Sequence, residues 1–122
     1  MQEEYEKIYS DFMTSYSSGA VTSEQAGELV ARLAGYFPNY NAAKIKAERS
    51  YALTLRDEIL KTDERSGKPV SATMAETVAA ASVEASTYKQ ARMHIENLEM
   101  LIQSAKSLQR GLIQEMSHSS LG

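Results

Sequence analysis

The chain has 122 residues, enough for one domain with a buried core, and its 43% hydrophobic and 24% charged residues are the balance of a folded protein. It has no cysteine, which excludes disulfides and thiolate metal sites, and its net charge of −3 argues against strong, indiscriminate binding of nucleic acid. The opening MQEEYEKIYSDF lacks a basic stub followed by an apolar run, and no stretch approaches the ~20 apolar residues of a membrane span, so the expectation is a cytosolic protein of a bacterium, or of a virus growing in one, with no membrane partner.

Ala, Glu, Lys, Leu, Gln and Met dominate and no window alternates with period two, so the whole chain is expected to be all-α. A first helix over about 2–16 carries Tyr5, Ile8, Tyr9, Phe12 and Tyr16 on one stripe, and Ser17, Ser18 and Gly19 end it. The second opens on a capping box, Thr22 at N-cap and Gln25 at N3, with Val21 placed to staple onto Ala26. It continues through Leu29, Val30 and Leu33, and Gly35 with Pro38 is expected to stop it. A third helix, from 39–41 to about 62, has Ile45, Ala52, Leu55 and Ile59 as its seam, with Leu53 and Leu60 alongside. Residues 63–70, DERSGKPV, contain Gly67 and Pro69 and no apolar rhythm, and read as a loop.

Thr73 and Glu76 then form a second capping box before a helical pattern running to about 117. That helix would be roughly 65 Å long if straight, against a radius of gyration of about 13–14 Å for a compact chain of this size. Either the Ala-rich piece 77–86 bends or breaks, or the helix projects and finds partners. From Tyr88 the a/d positions are Tyr88, Ala91, Ile95, Leu98, Ile102, Ala105, Gln109, Leu112 and Met116, with Leu101 and Leu108 as a flanking g stripe and Ile113 at e. A stripe this wide suits a bundle or a higher oligomer better than a two-stranded coiled coil. It can pack on the third helix as an antiparallel hairpin, serve self-association, or do both.

The expected architecture is therefore two short N-terminal helices plus a long helical hairpin, forming an oligomeric bundle. It is a single domain with acidic helices in 1–38, a basic helix and loop in 39–70, a long helix in 71–117 and a tail in 118–122. Ile95, Leu98, Leu101, Ile102, Leu108, Leu112 and Ile113 are the candidate oligomerisation residues, and the first expected partner is another copy of the chain.

Charge is uneven. Residues 1–38 come to −4 and residues 71–122 to −1, whereas residues 39–70 come to +2. Within that basic stretch Lys46, Arg49 and Arg56, with Tyr51 nearby, share roughly one side of the helix, and Lys61, Arg65 and Lys68 continue into the loop. Cations along a groove, with an aromatic to stack on bases, are what sequence-neutral binding of single strands needs. The competing reading is a solvated face balanced by Glu48, Asp57 and Glu58. On the last helix Lys106 and Arg110, four residues apart, could also touch phosphate, and Gly111 marks a close approach, a kink or the end of the ordered helix.

Signs of catalysis are weak. His94 lies at a g position beside Leu101 and His118 lies in the tail SHSSLG. Glu96 and Glu99 read as solvated neighbours rather than an acid/base pair. His-Glu-x-x-His does not occur, and RSGKPVS lacks the first glycine and the hydroxyl residue of a phosphate loop. The chain is expected not to be an enzyme and to need no cofactor or metal.

The closing run AKSLQRGLIQEM (105–116) resembles the final helix of the UvsY-like recombination mediators of tailed phages. The order resembles theirs too: a helix ending LTLRDEILKTDERSGKP, a basic glycine-containing loop, a helix bearing Tyr88, then that closing segment. The likeness covers about 75 residues and consists of spacing and matched residue types. It implies a small helical protein that oligomerises through its C-terminal helix. Such a protein binds single-stranded DNA on a basic surface and helps a recombinase replace the single-strand-binding protein. Arg56 matches a DNA-contacting position, Thr54 departs from one, Arg65 and Lys68 match the basic loop in kind, and Leu101, Ile102, Leu108, Leu112 and Ile113 match the oligomerising element. The alternative is a protein–protein interaction module without nucleic-acid binding, such as a phage assembly or scaffolding adaptor or an inhibitor of a host defence complex. Its binding face would be the acidic first helix with Tyr5, Tyr9, Phe12 and Tyr16.

Overall fold

A computed structural model describes residues 2–121, and the side chains of 2–116. The fold is all-α: α1 (Glu4–Ser17), α2 (Ser23–Ile59), α3 (Ala72–Ala80) and α4 (Val83–Leu121), with no strand among the described residues. The chain packs as two compact units, Met1–Pro38 with Glu96–Gly122, and Asn39–Ile95. Both α2 and α4 contribute one part to each unit.

The expected stop at Gly35 and Pro38 is absent, because α2 runs unbroken through both. Gly35 has no positive φ, so it makes no turn. Pro38 removes one ladder hydrogen bond, at a cost of ~3 kcal/mol in a helix interior. What carries the helix through is a continuous buried stripe. Ala26, Val30, Leu33, Phe37, Tyr40, Lys44, Ala47, Tyr51, Thr54 and Glu58 alternate steps of four and three, and all are buried or half-buried. This stripe also replaces the expected seam of the third helix. Ile45, Leu53 and Ile59 face outward instead.

In the first unit, Tyr5, Ala26, Leu29, Leu33, Leu98 and Ala105 form the core. Leu33 and Leu98 are fully buried, each contributing about 1.5–3 kcal/mol. Thr22 and Gln25 make the reciprocal box expected of them, with the Thr22 amide donating to Gln25 Oε1 at 2.9 Å and the Gln25 amide to Thr22 Oγ1 at 3.2 Å. Gly27 lies beside Gln109, and the Ser23 hydroxyl meets Met116 Sδ at 3.5 Å, so α4 runs antiparallel to α2 here.

In the second unit the buried residues are Ala47, Ala75, Ala79 and Ile95. Ring pairs stand where large aliphatics would be: Tyr40 with His94 at 5.3 Å, and Tyr51 stacked on Tyr88 at 5.9 Å. They show the same antiparallel sense. The long helix expected over 71–117 is interrupted at Ala81 and Ser82, which is the break allowed for the Ala-rich piece. The Ser82 hydroxyl donates to the Ala79 carbonyl and accepts from the Ala85 amide at 3.2 Å, ending α3 and starting α4 with one side chain. The cap of α3 is Ser71, which accepts from the Met74 amide at 3.1 Å; Thr73, expected at that position, lies inside the helix. The helix starts two residues earlier, at a serine competent to cap it, so Thr73 does not act as the cap.

Candidate functional site

The basic helix and loop of the second unit are built by α2 and the turn that follows it. Lys46, Arg49, Arg56, Lys61, Arg65 and Lys68 are all exposed. The loop is a closed hairpin rather than a slack connection. Thr62 and Pro69 form an isolated antiparallel bridge, the Val70 amide donates to the Lys61 carbonyl at 3.0 Å, and the Asp63 amide donates to the Lys68 carbonyl at 2.7 Å. Inside it the Asp63 carboxylate accepts from the Arg65 amide at 2.9 Å, and Gly67 adopts φ +67°, a left-handed turn that glycine makes without a Cβ penalty. Arg65 and Lys68 are thereby held at the tip of a stapled turn.

Two of these cations have carboxylate neighbours, Arg56 with Asp57 at 3.3 Å and Lys61 with Glu58 at 2.6 Å. Both cations are well over half exposed, so each pair is worth only ~0–1 kcal/mol and an incoming anion can compete for the cation. Tyr51 does not share the basic side as expected. It lies on the inward stripe, half-buried, with one face against Tyr88, while Arg92 stands 5.5 Å over the Tyr88 ring. A base cannot stack on that face of Tyr51. Lys106 and Arg110 are exposed as well, but belong to the other unit.

Arg49 and Arg56 have different company from the loop cations. On a helix of 3.6 residues per turn, Ile45, Arg49, Ala52, Arg56 and Ile59 fall on one stripe by steps of four and three. All five are exposed, with Leu53 and Leu60 along one edge. The stripe is aliphatic with two arginines in it. Sequence reasoning took its apolar members for core because their spacing was right. The signal it missed is that Tyr40, Lys44, Ala47, Tyr51 and Thr54 keep the same rhythm on the opposite side.

The candidate oligomerisation residues divide. Ile95 and Leu98 are spent on the chain's own core, which corrects their assignment to an interface between copies. Leu101, Ile102, Leu108 and Leu112 are half-buried, and only Ile113 is exposed, followed by Met116. Gly111 sits in uninterrupted helix with nothing within 4 Å of where a Cβ would be, so it marks neither a close approach within the chain nor a helix end. The first helix's rings belong to the fold: Tyr5 is buried and Tyr9, Phe12 and Tyr16 are half-buried.

His94 is half-buried against Tyr40, and the side chain of His118 lies outside the described residues. No group of three or more carboxylates or histidines is gathered for a metal ion among the described residues. No described helix is long and apolar enough to cross a membrane. No protein-family model, curated protein or solved structure matches the chain.

Proposed function

We propose that the protein is a phage-type accessory of DNA recombination or replication that holds single-stranded DNA weakly on the basic end of its second unit. Self-association would then multiply weak sites along one strand. The observation that supports this reading is the stapled hairpin that holds Arg65 and Lys68 exposed, with Lys61 exposed at its base. Sequence-neutral contact with phosphates needs such cations and little else. In this role the chain would present a strand to a recombinase or help displace a single-strand-binding protein, as the UvsY-like resemblance implies.

The test is the mobility of labelled oligo-dT at about 50 and 200 mM salt. The expected result is a shift that weakens steeply with salt, since neutralising several phosphates releases counterions. Arg65→Ala with Lys68→Ala should reduce both affinity and salt slope. Binding that ignores salt or these substitutions would remove the reading.

A second reading, a protein–protein interaction module such as an assembly adaptor or an inhibitor of a host complex, is favoured by one observation. Large exposed aliphatics gather in the second unit, on α2 and not on the first helix, whose rings are occupied. A chain that leaves oligo-dT unshifted at low salt would be read this way.

A further inference from the structure

We infer that the cleft where α3 passes into α4 beside Tyr51 is an anion site, and that it takes the phosphate group of a nucleotide. None of the hairpin cations takes part, so this site stands or falls apart from strand binding.

The cleft lies wholly within the second unit and has a volume of about 460 Å³, inside the roughly 300–1,000 Å³ of ligand sites. Tyr51, Ser82, Ser86, Tyr88, Lys89 and Arg92 line it, and the rest of its wall is alanine. Its charged groups are therefore both cations, with no carboxylate, in a chain whose net charge is −3. Two other clefts mix their charges: one carries Asp11 and Glu28 with Arg32, and the other sets Lys46 with Glu84. A concave wall of one sign focuses its field on whatever enters, so this cleft favours an anion where those two do not.

The donors are of the kind that phosphate takes. The Arg92 guanidinium stands 5.5 Å over the Tyr88 ring, and that ring stacks on Tyr51 at 5.9 Å. Contact with a ring uses the face of a guanidinium, whereas its N–H donors lie in its plane, as a fork that matches phosphate. Lys89, three residues before Arg92 on the same side of α4, is exposed and adds a point charge. The Ser82 hydroxyl is committed to the Ala79 carbonyl and the Ala85 amide, so the Ser86 hydroxyl is the one that supplements the cations. A phosphate monoester offers an oxygen to each of these three donors, where a carboxylate has only two. The cleft exceeds the size of a bare phosphate and leaves room for a sugar and base along the alanines. Because Tyr51 and Arg92 already engage the Tyr88 ring, binding rests on the phosphate and should be indifferent to the base.

The amide NMR spectrum of the full chain, titrated at about 50 mM salt with thymidine 5′-monophosphate and separately with oligo-dT, tests this. The expected result is movement of the amides of 82–92 by at least one of them, and none by thymidine, which lacks the phosphate. Movement by the monophosphate identifies a nucleotide as the source, and movement by oligo-dT alone identifies a strand. Lys89→Ala with Arg92→Ala should weaken that binding about tenfold or more, through the loss of charge-assisted hydrogen bonds. Lys7→Ala with Arg32→Ala, which removes equal charge from the first unit, should not. Ser86→Glu keeps both cations and sets a carboxylate in the cleft, so it should abolish binding at unchanged helicity. Amides that neither ligand moves overturn the site, as does binding indifferent to Ser86→Glu and to loss of Lys89 and Arg92. An oligo-dT shift that needs Arg65 and Lys68 while 82–92 stay still overturns this site alone. Monophosphate bound here with no oligo-dT shift overturns strand binding alone.

Discussion

Single residues carry local consequences that need no tertiary argument. Gly35 and Gly111 sit in helix interiors with nothing within 4 Å of an added Cβ. Replacing either with alanine should stabilise the fold by up to about 1 kcal/mol, read as a higher denaturant midpoint at constant slope. Gly67→Ala should do the opposite by ~1 kcal/mol, because φ +67° strains any residue with a Cβ. The Tyr5 phenol, held in its neutral form chiefly by burial and then by the nearby Glu6 charge, has its pKa raised above the usual value. Its contribution to stability is complete below the free tyrosine pKa, near 10, and is lost as pH rises through the higher folded value. Absorbance titration should therefore show late-ionising phenols, Tyr5 and also Tyr36, whose pKa burial raises as well. At this scale the sequence is readable where a motif closes on itself, as Thr22 and Gln25 do. It misleads where Ser71 and Thr73 each fit a helix start, since either hydroxyl is competent to cap and the helix begins at the earlier one.

Elements obey a rhythm whose carriers need not be apolar. The seam of α4 was legible because Ile95, Leu98, Ile102 and Ala105 announce it, and the structure turns those residues inward. The seam of α2 was not, since Lys44, Thr54 and Glu58 occupy its positions while Ile45 and Ile59 decorate the other side. Pro38 hid its continuity further, because proline usually ends a helix. The difference is measurable. Leu98→Ala should cost about 2–5 kcal/mol of stability as a cavity in the core. Ile45→Ala should change the stability of the isolated chain by no more than about 0.5 kcal/mol. Chemical denaturation of the two variants side by side decides it, and an Ile45→Ala loss as large as the leucine's would mean that α2 buries the face described as open.

For the molecule as a whole, the all-helical class followed from composition and the absence of alternation, and antiparallel packing within the chain was one of the arrangements that the wide apolar stripe left open. The division into two units shows in the sequence only as the change from acidic to basic at 38/39, and the expected helix end there hid that α2 runs on through both units. Nor could the sequence locate the basic surface fully. It found the cations, but Tyr51 lies on the half-buried side of α2 against Tyr88, away from them. Under the proposed function, added salt should release a bound strand, read as loss of the mobility shift across a salt series.

The closed hairpin after α2 brings Lys61 and Val70 side by side, which makes it a natural place to sever the polypeptide. Trypsin should nick first after Arg65, since the bond after Lys68 is shielded by the proline that follows it. The helices on either side remain packed on one another through Tyr51 and Tyr88. Two separately made fragments ending and beginning at that nick should therefore reassemble on mixing, giving a split form whose halves report on each other's folding.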